Sequence, residues 1–259
     1  MIKPTDPQNL QALIEAAQAA AFSGWDFSWL DGRMIQDDLP WDYPALVQSH
    51  ITHARSLLDM GTGGGEFLAS LPNLPPETHA TESYQPNQAI AQARLHPLGV
   101  HVHTVEDDTS LPFDDGSFDL VINRHESYKH GEVFRILKPG GIFITQQVGE
   151  LDNLELNQIL EKDEPYHFTD WGVESELFHL QYCGFSILRA EKAALTTRFL
   201  DIGAVVYYLK AIPWQIEGFS PETHAQGLIQ LHNFIEQQGA FITTAHRFLI
   251  IACKEVAQP

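Results

Sequence analysis

The stretch 57-LLDMGTGGGEFL-68 decides how the rest of the chain is read. An apolar run reaches an acid, breaks into glycines, and then takes up a helix-like pattern. This is the signature of a strand, a tight turn and a helix start. Glycine is needed there because the backbone must turn with positive φ and let a ligand approach main-chain N–H groups with no Cβ in the way. Gly61, Gly63, Gly64 and Gly65 meet that need.

Two ligand classes use such a turn. A dinucleotide fingerprint G-x-G-x-x-G counted from Gly61 ends on Glu66, an acid where a pyrophosphate would sit, which argues against NAD. The pattern that does match is D-x-G-x-G-x-G, read as Asp59, Gly61, Gly63 and Gly65. It resembles the first motif of class I S-adenosylmethionine-dependent methyltransferases. That resemblance implies S-adenosyl-L-methionine as cofactor, with Thr62 inside the turn among its contacts.

Composition narrows the setting. The 259 residues suffice for one large domain over 1–259. No apolar run approaches the ~20 residues that span a bilayer, and MIKPTDPQNL has neither a basic region nor an apolar core. A cytoplasmic protein with no membrane association is expected. The formal net charge of −19 repels phosphates, so nucleic acid ranks low as a partner. Cys183 and Cys253 are too isolated for a disulfide framework.

Ahead of the first strand, QNLQALIEAAQAAAF reads as a helix and GWDFSWLDGRM as an aromatic-rich loop. With DYPALVQSHITHA, this makes residues 1–54 an expected lid, and by resemblance Tyr43 or Trp41 lies near the cofactor. His50 and His53 stand one turn apart on a solvated helix face, and His101 with His103 on one side of a strand; no set is read as a metal site.

About twenty residues past the glycines, a strand of about five residues, ETHAT, leads to the acid Glu82 at its end. A carboxylate there can accept from both vicinal hydroxyls of a ribose. The next residue in the family pattern lies along the adenine, a place filled here by Ser83, with Tyr84 following. EDDTSLPFDDGSFDLV resembles the D-a-e-x-LPF and DgSFDlV elements of the same methyltransferases. By that resemblance Asp107 accepts from the adenine amine, and the Asp108 or Thr109 N–H serves a ring nitrogen.

The fourth strand delivers Asn123, Arg124, His125 and Glu126 to the face where a methyl acceptor meets the sulfonium. NRHE in place of N/D-P-P-Y/F disfavours DNA or amide nitrogen as acceptor. A neutral His125 is read either as a base for a phenol, amine or thiol, or as a helix cap. EVFRILKPGGIFITQQVG resembles the R-v-L-K-P-G-G turn before the fifth strand, with Pro139, Gly140 and Gly141 in structural roles.

The expected fold is a doubly wound α/β sheet of seven strands, mostly parallel with an antiparallel last strand. A helical cap about 195–238 interrupts the final hairpin and carries Phe199, Tyr207, Tyr208, Trp214 and Phe219. The expected activity is methyl transfer to a small-molecule acceptor. An RNA-guanine methyltransferase and a non-catalytic cofactor-binding sensor are the alternatives. The sequence carries no sign of oligomeric state.

Overall fold

The computed structural model describes residues 7–23, 25–106, 109–161 and 171–256. In chain order the elements are α1 (Pro7–Ala19), β1 (Met34–Gln36), α2 (Tyr43–Ile51), β2 (Ser56–Met60), α3 (Glu66–Ser70), β3 (Glu77–Glu82), α4 (Gln85–Leu95) and β4 (His101–Thr104). They continue with β5 (Phe118–Arg124), α5 (His130–Ile136), β6 (Leu137–Val148), α6 (Leu154–Leu160), α7 (Val173–Tyr182), β7 (Phe185–Phe199), α8 (Ile202–Ala211), α9 (Ala225–Gln238) and β8 (Phe241–Lys254).

The strands form one sheet in the order β1-β7-β8-β6-β5-β2-β3-β4. From β6 to β4 all neighbours are parallel. β8 is antiparallel to both β6 and β7, and β1 is antiparallel to β7. This is the expected mixed α/β sheet, with eight strands in place of seven. The extra strand is β1, in the segment read as an aromatic loop. It exists because Met34, Ile35 and Gln36 pair with Phe199, Arg198 and Thr197. The long connection also starts later than residue 195, because β7 runs to Phe199 before Asp201 caps α8 by accepting from the Ala204 N–H at 3.0 Å.

Central strands are apolar because both faces are covered. Leu57, Leu120, Ile122, Ile144 and Leu249 pack on one face against Val47 of α2 and Ala91 and Leu95 of α4. Leu58, Val121, Phe143 and Ile250 pack on the other against Val133 of α5 and Leu180 of α7. A third cluster joins α1, α8 and α9 through Ala17, Val205, Leu209, Leu228 and Leu231. α8 is buried almost all round because arm and cap sandwich it.

The acid of the DGSFD segment belongs to this framework. Asp119 accepts from the Arg55 and Ser56 N–H groups, both at 2.9 Å, and from Lys138 Nζ at 2.9 Å. Partial burial pushes its carboxyl up, but those donors outweigh it and hold the pKa at about 2. The Pro139–Gly141 turn appears as an irregularity within β6, where the pairing with β5 shifts between Phe118 and Leu120. Among the described residues no helix is long and apolar enough to cross a membrane.

Candidate functional site

The chain winds from β2 outward to β4, then returns to place β5 on the other side of β2. A crevice opens at the carboxyl ends of strands where the order reverses. Met60 pairs with Asn123 at that point. The glycine turn leaves β2 there, with φ of 65° at Gly61, 62° at Gly63 and 80° at Gly65. It is moored to β3 by Thr62 N–H donating to Thr81 O at 2.9 Å and Gly61 N–H to Thr81 Oγ1 at 3.3 Å.

A Cβ on Gly61 would collide with the Glu126 side chain, one on Gly63 with the Trp25 indole, and one on Gly65 with Leu95. Two of these glycines therefore keep backbone bare beneath groups that cover the crevice, and the third lets α4 pack against the turn. A cleft of about 510 Å³, lined by Arg55, His79, His103 and Lys138, sits at the opposite, amino end of the strands.

Two carboxylates flank the turn. Asp59 is 4% exposed, and burial raises its pKa to about 6, with the Thr62 hydroxyl and Arg124 pulling the other way. Glu82, also buried, accepts from the Tyr84 N–H at 2.7 Å. Burial raises its pKa against the N–H groups of Tyr84, Gly63 and Ser83. Ser83 and Tyr84 are exposed beyond it. Asp107 and Asp108 lie outside the described residues.

Across the crevice, Asn123 is fully buried and accepts at Oδ1 from Thr145 Oγ1 at 3.2 Å and from Gln147 Nε2. Its Nδ2 is buried with no hydrogen-bond partner among the described residues. Tyr43 is buried as well. Its hydroxyl donates to Asn123 O at 3.2 Å, and its ring tilts against Phe67, so it closes the floor of the site.

His125 stands at φ 62°, a left-handed conformation that a residue with a Cβ holds only when its surroundings fix it. Its N–H donates to Gln146 O at 2.9 Å. Trp41 Nε1 donates to Gln146 Oε1 at 2.8 Å, so the other end of that amide is the donor, and it lies 3.1 Å from His125 Nε2. In this arrangement His125 Nε2 accepts and Nδ1 carries the proton. Desolvation of the ring, then the Arg247 and Arg124 guanidiniums, lowers its pKa to about 3, although the residue as a whole is exposed to solvent. The imidazole is neutral at physiological pH.

Gln146 and Gln147 are site groups to which sequence reasoning gave no role, while Trp25 fell in the expected lid and Glu126 on the acceptor face. The pair of glutamines in IFITQQV had a signal: two amides in a strand otherwise apolar imply a buried polar network. Of the other histidines, His79 Nδ1 lies 2.8 Å from His103 Nε2, with His101 packed alongside, and His50 Nδ1 lies 2.9 Å from Leu46 O. Burial, with the neighbouring imidazoles, lowers the His79 and His103 pKa values.

These residues fit the cofactor that the glycine motif implies. The turn carries no Cβ at Gly61 or Gly63, a carboxylate ends the strand beside it, and a buried amide donor on Asn123 has no hydrogen-bond partner among the described residues.

Comparison with known proteins points the same way. Residues 58–145 match the family described as "Methyltransferase domain". No curated protein matches. A provisionally assigned methyltransferase from Bacillus halodurans C-125 superposes with a TM-score of 0.61 at 16% identity, covering 83% of this chain and 99% of the other. A provisionally assigned sarcosine dimethylglycine methyltransferase from Galdieria sulphuraria gives 0.51 at 17%, over 88% and 84%. The [4+2]-cyclase SpnF gives 0.51 at 18%, over 96% and 93%. Asp59, the glycine turn and Glu82 fall within the matched residues: this part of the chain is similar to the methyltransferase-domain family, and the mixed α/β sheet is the fold of these solved structures.

Proposed function

We propose that the protein transfers a methyl group from S-adenosyl-L-methionine to a small-molecule acceptor. The observation that carries this reading is the pair of buried carboxylates, Asp59 and Glu82, on either side of a glycine turn whose Cβ positions are blocked. The cofactor supplies a methyl already activated by a positive sulfur. The chain's own work is then to bind, align and exclude water.

Glu82 would hold the ribose hydroxyls and Gly61 to Gly65 would present backbone, with Thr62 and Asn123 alongside. Ser83, Asp107 and Asp108 would serve the adenine, and Tyr43 would support Asn123 from below. His125 is the candidate to act on the acceptor. As a base it must first release Gln146 from Nε2. With that bond kept, its Nδ1–H would orient the acceptor by donation.

A small acceptor is favoured over a nucleic acid by the net charge of −19. Aromatic rings above the turn support the same choice: Trp25 stacks on Phe27 and meets Trp214 edge-on, both at 6.0 Å between centroids. Such walls suit a flat or apolar molecule. The SpnF likeness is a reminder that this fold alone does not assign methyl transfer.

Calorimetric titration with S-adenosylhomocysteine, with NADH in parallel, is the test. Saturable binding of the first, weakened in Asp59→Ala and Glu82→Ala, is expected, followed by methyl transfer within small-molecule acceptor pools. Binding of NADH alone would sink the reading. Cofactor binding with no transfer to any pool would favour a sensor.

A further inference from the structure

Away from the glycine turn, three side chains from two helices far apart in sequence converge. His130 opens α5, while Glu176 and His179 lie one turn apart on α7. One donor atom from each falls within 4.8 Å of the other two. His130 Nε2 is 2.9 Å from Glu176 Oε2, His179 Nδ1 is 4.0 Å from Glu176 Oε1, and the two rings sit 5.1 Å apart. We propose that His130, Glu176 and His179 form a binding site for a borderline divalent metal ion such as Zn²⁺.

Bonds of about 2.0–2.1 Å to a tetrahedral ion place neighbouring donors roughly 3.3 Å apart, a spacing that the observed 2.9 and 4.0 Å bracket. Two imidazoles with one carboxylate suit Zn²⁺ and its neighbours in the first row, not Mg²⁺ or Ca²⁺, which prefer all-oxygen sets. Three protein ligands leave a further position for water or another ligand.

Glu176 gives the second argument. Its side chain is only 2% exposed, yet among the described residues its ion-pair partners are those two histidines alone. A carboxylate this buried is ordinarily matched by a cation or a metal. Tyr128 donates its hydroxyl to Glu176 Oε2, as an outer group does when it aims a carboxylate ligand. Tyr128 is fixed in turn by Phe143 and Trp171, packed edge-on. Access is open from one side, because the His179 side chain is 51% exposed against 20% for His130.

The ion would staple the segment after β5 to α7. That segment also carries Glu126, whose side chain covers Gly61, so the metal would fix the wall of the crevice without touching the cofactor.

The test uses the untagged full-length protein, stripped with a chelator, dialysed and titrated with Co²⁺. Intense visible d–d bands that saturate at one equivalent and are displaced by Zn²⁺ are expected. His179→Gln, at a half-exposed position that leaves the core intact, should weaken Co²⁺ binding roughly tenfold or more, and His130→Gln likewise. His103→Gln, at the imidazole stack on the amino end of the sheet, should leave it unchanged. Zn²⁺ should raise the thermal midpoint of the wild type and not of His179→Gln. No bands at one equivalent, or undiminished affinity in His179→Gln, would overturn the proposal and leave the trio as a hydrogen-bonded charge cluster.

Discussion

Asp59 works against the stability of the fold that holds it. Its pKa is raised to about 6 from an ordinary 3.8, so its contribution is fully present below pH 3.8 and is lost as pH rises through about 6. Asp59→Asn should therefore raise the thermal midpoint at pH 7.5, by an amount worth at most about 3 kcal/mol, with the gap closing as pH is lowered to 4. Affinity for S-adenosylhomocysteine should fall in the same variant; a midpoint that is unchanged at pH 7.5 would show that the charge is better solvated than its burial implies. His125 has the opposite sign. With a pKa near 3, it should contribute no limb to an activity profile between pH 5 and 8, and His125→Ala should lower turnover while cofactor binding stays intact. Weakened cofactor binding alone would remove it from any role at the acceptor. Much at this scale was legible, since a glycine turn and a strand-ending acid are local patterns. The tautomer of His125 was not, because Gln146 and Trp41 set it from 21 and 84 residues away.

The arm before β2 depends on a few tethers. Arg33 donates to Asp201 from Nε at 2.8 Å and from Nη2 at 2.6 Å, and its guanidinium lies 3.8 Å over the Trp29 ring. The same aspartate caps α8, so arm and cap share one anchor. Arg33→Ala should cost on the order of 1 kcal/mol, given partial exposure of the pair, and should speed chymotryptic cleavage at Trp25, Phe27 or Trp29. Unchanged cleavage would show that pairing of β1 with β7 suffices. Neither tether was visible in the sequence. A three-residue strand has no alternation to read, and β1 is a strand only because β7 passes beside it. The cap was readable as helical, whereas the position of Trp25 over Gly63 is a long-range packing outcome.

For the molecule as a whole, a net charge of −19 is a self-repulsion that folding concentrates. Raising NaCl from about 0.01 to 0.15 M shortens the screening length from about 30 to 8 Å, and the thermal midpoint should rise with it. A fall would mean that ion pairs such as Arg247 with the buried Asp152 outweigh the repulsion. Composition predicted the sign of the surface field. It could not show how α1, α8 and α9 form a third apolar cluster beyond the sheet.

The position of β8 has a consequence for how the protein is made. Its ladder to β6 spans Ile142–Val148, and its ladder to β7 runs from Phe185 to Phe199. As the chain leaves the ribosome, β2 to β6 can assemble early, yet β7 has no seat beside them until Phe241–Lys254 has emerged. In that interval β6 is an open sheet edge rich in Ile and Phe, the kind of surface that recruits other chains. A nascent chain truncated before Phe241 should collect in the insoluble fraction, whereas one ending after Lys254 should stay in the supernatant. Closing the sheet, and with it the barrier to self-association, waits for Phe241–Lys254 to emerge.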